Sequence, residues 1–155
     1  MSTDWEKQIL DTWSINNRIN LYMLDAIPKD ALNDVSASKG RSVAEQFAHI
    51  HNVRLMWLKA SGPELMEGLE KIEKEQASDR KLLERGLKDS GTAMGQLLQK
   101  GIAEGKIKGF KPHPMAFLGT SSLTSRSTED RSRLRSSSQS TRWIRRWLTE
   151  FGNGE

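Results

Sequence analysis

The chain has 155 residues, enough for one compact domain with a thin core, since only 35% of them are hydrophobic. It contains no cysteine, which excludes disulfides, thiolate zinc sites and cysteine nucleophiles, and no apolar run approaches the roughly 20 residues that cross a bilayer. The net charge of +4 is unevenly placed: residues 1–119 hold 17 basic and 16 acidic side chains, residues 120–155 hold 7 and 4, so most of the excess sits in the C-terminal segment.

The first residues, Ser2 to Glu6, are polar and acidic, unlike a secretory signal, and a cytoplasmic location is expected. Thr3 and Glu6 have the spacing of a capping box. Behind them Trp5, Ile9, Trp13, Asn17, Leu21 and Leu24 recur at helical intervals, and Pro28 closes the first helix. Ser42 and Glu45 form a second capping box. It opens a helix to about Ala60 with Val43, Phe47, Ile50, Arg54, Trp57 and Leu58 along it, broken by Ser61-Gly62-Pro63. Residues 64–77 are charged, with room for one or two short turns. Ser78 is the expected cap of a third helix, whose apolar face is Leu82, Leu83, Leu87, Met94, Leu97, Leu98 and Ile102 and whose stop is Gly105. Gly86, Gly91 and Gly95 weaken it by about 1 kcal/mol each relative to alanine. A basic loop then leads to Pro114, well placed in the first turn of a fourth helix, with Met115, Phe117 and Leu118 beginning an apolar face.

The run Gly40-Arg41-Ser42-Val43-Ala44-Glu45-Gln46-Phe47-Ala48-His49-Ile50-His51-Asn52-Val53-Arg54, with Trp57-Leu58 after it, resembles the second helix of DinB-family proteins. Trp13 and Asn17 suit the family's first helix. Gly109-Phe110-Lys111-Pro112-His113 and Ala116-Phe117-Leu118-Gly119 look like the entry to its fourth. The resemblance spans residues 1–119 and implies an all-α fold, a DinB-like four-helix bundle. It further implies a divalent metal, zinc or nickel, held by three histidines in intact members, some of which are thiol-dependent transferases or isomerases. The position matching the second-helix ligand is His49. The other two ligands form His-x-x-x-His on the fourth helix, where residues four apart share one face and grip one ion with an open position left over. This chain has no histidine after His113. The fourth helix is therefore expected to be truncated or disrupted, and the metal and any metal-dependent reaction absent from this form.

The domain is expected to end near Gly119, because residues 120–155 have a different composition. They contain no lysine and no alanine, against 12 and 10 in residues 1–119, and Thr120 to Thr141 alone holds nine serines and four threonines. Abrupt change inside one helix points to a shifted reading frame. Codons allowed for residues 120–131, read one nucleotide out of phase, can spell Tyr-Leu-Ile-Ala-His-Glu-Ser-Gln-His-Arg-Gly-Ser, which restores the histidine pair. A genuine Ser/Arg-rich tail is the alternative. In that case Trp143, Ile144, Trp147 and Leu148 would form a short basic amphipathic helix with Arg142, Arg145 and Arg146, suited to a nucleic acid or an anionic surface.

Among single residues, His51 lies two positions from His49 and is expected at the surface. His113, between prolines, suits a helix cap better than a metal role. Glu45 lies four residues before His49 and could act as an outer carboxylate or general base, although its capping position already accounts for it. Trp5, Trp13 and Trp57 are expected in the core. Three functions follow: an inactive member of a metal-dependent transferase lineage, a surface-binding module working through its tail, or a metal-free dimerising scaffold. A homodimer is the candidate assembly, with neither nucleic acid nor membrane expected for the domain itself. Loss of a fourth helix would expose apolar faces worth roughly 1.5–3 kcal/mol per large side chain, so an unstable or partner-dependent chain is expected.

Overall fold

A computed structural model of the chain describes residues 4–35, 40–110 and 113–126, with side chains as far as Ser121. The expected Thr3 cap, the Ser/Arg-rich segment beyond Arg126 and its Trp143–Trp147 helix lie outside those residues. Four helices form as the punctuation dictates: α1 (Asp4–Ala26), α2 (Val43–Ser61), α3 (Arg80–Glu104) and α4 (Pro114–Arg126), with 3₁₀ turns at Asp30–Asn33, Pro63–Met66 and Lys74–Gln76. The fold is all-α. Among the described residues the only extended pairings are isolated bridges, Val35 to Ser42 and Ile107 to Phe110.

Local chemistry sets the ends. The Ser42 hydroxyl accepts from Glu45 N at 3.2 Å while the Glu45 carboxylate accepts from Ser42 N at 3.1 Å, so the capping box closes as its sequence requires. Helix α3 differs from expectation. Asp79, not Ser78, accepts from the amides of Lys81 and Leu82 at 3.0 and 3.3 Å; a carboxylate suits the positive end of the helix dipole better than a hydroxyl. The Ser78 hydroxyl instead donates to Asn33 Oδ1 at 3.1 Å, tying the α1–α2 connection to α3. Gly105 ends α3 at φ +69, the left-handed position that favours glycine. The last turn of α1 has no basic residue of its own. Arg80 of α3 supplies one, donating through Nη1 to the carbonyls of Leu24 (2.7 Å) and Asp25 (3.0 Å) and through Nη2 to that of Ile27.

Helix α3 packs against both α1 and α2, and α4 lies chiefly on α2. The core divides into two clusters. One holds Ile9, Trp13, Leu55, Trp57, Leu58, Met94, Leu98 and Phe117; the other holds Leu24, Phe47, Ile50, Ile72, Leu83 and Leu87. Trp57, Phe110 and Phe117 meet edge to face, with centroids 6.4, 5.3 and 5.3 Å apart, anchoring the start of α4. Among the described residues α4 contributes to the first cluster only. Trp5 departs from expectation: it is 50% exposed, because it lies on the outer side of the first turn of α1. The fourth helix also runs to Arg126, past the end of its apolar pattern at Gly119. The hydroxyls of Thr120 and Ser121 donate to the carbonyls of Ala116 (2.9 Å) and Leu118 (3.1 Å), which lets short polar residues remain helical with their groups satisfied.

Candidate metal centre

His49 sits half-buried on α2. Desolvation, and secondarily the positive charge of Arg41, lower its pKa to about 4. Its imidazole is therefore neutral at physiological pH, the state in which a ring nitrogen can take a metal. The question is what could join it. Among the described residues no group of three or more His, Cys, Asp or Glu side chains is placed to share an ion.

The other histidines are engaged elsewhere. His51, expected at the surface, is buried at 1% exposure. Its Nδ1 lies 2.8 Å from the Gly86 carbonyl and its Nε2 2.8 Å from the Glu70 carbonyl. A neutral ring can donate to one of these oxygens and a doubly protonated ring to both; in either state both nitrogens face acceptors. His113 is the cap that its sequence suggested: Nδ1 accepts from Ala116 N at 3.1 Å, and its carbonyl accepts from Ala116 N and Phe117 N at 3.0 and 3.3 Å. Glu45 uses one carboxylate oxygen in the capping box and holds the other 3.3 Å from Lys74 Nζ. Helix α4 carries no histidine. The described side chains therefore do not make up the three-histidine set, and His49 stands as a single donor.

A buried polar layer separates the two apolar clusters. Arg54 of α2 is 2% exposed. It donates through Nη1 to Asn17 Oδ1 of α1 at 2.8 Å and to the Leu87 carbonyl of α3 at 2.9 Å, with its guanidinium 5.1 Å from the Trp13 ring centroid, a cation–π distance. Trp13 Nε1 donates to the Gly91 carbonyl at 2.8 Å. Burial lowers the pKa of Arg54 to about 10, so the side chain remains a cation at neutral pH. Gly91 makes the layer possible, because a Cβ there would lie 2.3 Å from Asn17 Nδ2. The sequence held a signal for this layer that its apolar pattern obscured: Asn17 and Arg54 are polar residues standing at core positions.

The chain matches the sequence profile of the DinB family over residues 1–106. The match covers α1 to α3 and stops before α4, so the Gly109–Gly119 region rests on resemblance alone. No curated protein and no solved structure matches the chain.

Proposed function

Because the chain belongs to the DinB family, we propose that it descends from a metal-dependent, transferase-like helical bundle and is inactive in the form this sequence encodes. One observation carries the reading: His49 is a neutral, half-buried imidazole at the family's second-helix ligand position, while the described α4 residues supply no ligand beside it. A single imidazole holds zinc or nickel poorly, and the groups that would orient it are not assembled. A one-nucleotide shift near codon 119 accounts for the loss, since the same bases can restore His-x-x-x-His. The substrate of the lineage is left unassigned, because this fold hosts several chemistries.

The test pairs resequencing of codons 110–155 with metal analysis of two full-length chains, the present one and its frame-restored counterpart. After dialysis against zinc or nickel, the present chain should retain far less than one equivalent. The restored chain should retain about one, lost on His49→Ala, as expected of a site whose ligands bind only when assembled. A full equivalent held by the present chain and removed by His49→Ala would overturn the proposal.

A further inference from the structure

The end of the bundle away from His49 holds a cavity of about 320 Å³, at the lower end of the roughly 300–1,000 Å³ found for small-molecule sites. Ser61 in its wall lies at the other end of α2 from His49, about 18 Å along the axis at 1.5 Å per residue, so the cavity is separate from the metal position. One wall is a single face of the last turns of α3, where Leu97, Lys100, Gly101 and Glu104 recur at helical spacing. Ser61 and the 3₁₀ turn at Pro63–Met66 form a second wall, and the stretch 106–108 a third. Gly101 lets the chain close here. A Cβ on it would lie 2.4 Å from Ile107 Cγ1, so its bare backbone seats Ile107 against α3. Leu97 and Ile107 are each 3% exposed and make an apolar floor.

The polar lining indicates the occupant. Ser61 is 7% exposed, and among the described residues its hydroxyl has no hydrogen-bond partner. A hydroxyl enclosed to this degree is ordinarily paired, so one left open in a cavity wall calls for an occupant with an acceptor. The lining carries three lysines and two carboxylates, a net charge of +1. Lys100 is held by Glu64 at 2.6 Å and also feels the charge of Glu104. Among the described residues Lys106 and Lys108 are in no ion pair, and both are exposed, so their flexible stems can bring the ammonium groups over the mouth. One excess positive charge suits a monoanion. A phosphate monoester, at about −1.5 to −2, would be repelled by Glu64 and Glu104. We propose that the cavity binds a small amphipathic carboxylate, whose oxygens accept from the Ser61 hydroxyl and the Lys106 and Lys108 ammonium groups while its short hydrocarbon part covers Leu97 and Ile107. The inference is independent of the metal reading.

Hexanoate is the probe, titrated into the full chain and followed by heteronuclear NMR. Saturable amide shifts should centre on Gly101, Glu104 and Ile107, with a dissociation constant of about a millimolar, as expected of so small a ligand. Acetate lacks the hydrocarbon part and hexanol lacks the charge; each should bind at least about tenfold more weakly. Lys106→Gln combined with Lys108→Gln should weaken hexanoate about three- to tenfold with unchanged helical circular dichroism, since both positions are exposed. Ser61→Ala should weaken it by a similar factor. The absence of saturable shifts at these amides, hexanol binding as tightly as hexanoate, or an affinity indifferent to the double lysine substitution overturns the proposal. Butyl phosphate binding more tightly than hexanoate overturns the choice of a carboxylate, and an affinity unchanged in Ser61→Ala overturns the part given to the hydroxyl.

Discussion

Alanine at Gly91 and alanine at Gly95, four residues apart on α3, are expected to move stability in opposite directions. Either replacement improves helix propensity by about 1 kcal/mol. At Gly95 the new methyl would meet Trp13 Cδ1 at 3.5 Å, an ordinary contact, so the gain is kept. At Gly91 it would lie 2.3–2.4 Å from three atoms of the Asn17 side chain. Asn17 must then retreat, and it is the group that accepts from Arg54 Nη1 at 2.8 Å. Losing that charged hydrogen bond costs about 1.5–3 kcal/mol, and forcing the helices apart adds about 1–3 kcal/mol. Less the propensity gain, Gly91→Ala should destabilise by about 1.5–5 kcal/mol, a large part of a domain stability of about 5–15 kcal/mol. Thermal unfolding followed by far-ultraviolet circular dichroism should show the midpoint falling about 6–20 °C for Gly91→Ala and rising about 4 °C for Gly95→Ala. A Gly91→Ala protein as stable as its parent would refute the idea that this gap seats Asn17.

Three further outcomes follow from the same contacts. His49 has a folded pKa near 4 against about 6.5 unfolded, so the unfolded chain binds the extra proton between those values; stability should be full above pH 6.5 and decline as pH falls towards 4. After discounting for partial exposure the loss is about 1–2 kcal/mol, and urea midpoints measured across that range should flatten in His49→Gln. Ser42→Ala removes the acceptor for Glu45 N and should lower the urea midpoint by the equivalent of about 1 kcal/mol. Phe117 is fully buried between Trp57 and Phe110; Phe117→Ala should cost about 3–5 kcal/mol and increase tryptophan exposure to a fluorescence quencher, whereas an unchanged midpoint would mean that α4 is not docked.

Much of the architecture was legible because its signals are local. The Ser42–Glu45 box, Pro28, the Ser61-Gly62-Pro63 break and Gly105 act through neighbouring backbone groups, and each marks an element boundary in the folded chain. The fates of the two α2 histidines were harder to separate. Helix α2 is covered by α3, by α4 and by the 3₁₀ turns at Asp30–Asn33 and Pro63–Met66, so its buried positions extend round most of its circumference. On such a helix a 3.6-residue pattern no longer tells inside from outside, and His51, whose offset from His49 suggests the surface, is enclosed by a distant loop. Trp5 erred the other way: its spacing fits the core stripe, but it faces outwards from the first turn of α1. The His49 position was visible only through resemblance, because a single histidine on a helix carries no metal-specific spacing. Asn17 and Arg54 could not be paired in advance, since their contact joins residues 37 apart in the chain through space opened by a glycine on a third helix.

The segment from Glu70 to Ile72 has no helix or strand of its own, yet it is held closely. His51 reaches the Glu70 carbonyl, while the Asn52 amide donates to the Ile72 carbonyl at 2.8 Å and accepts from Ile72 N at 3.0 Å. All three of these bonds go to main-chain atoms of the segment, which every residue type supplies apart from the amide that proline lacks. The tether thus reads the path of the chain and not its side chains. Apart from Ile72, buried at 4% exposure, the stretch is free to drift in sequence among descendants while keeping its course, provided that α2 retains His51 and Asn52. Selection on this connection falls on a neighbouring helix and largely spares the connection itself.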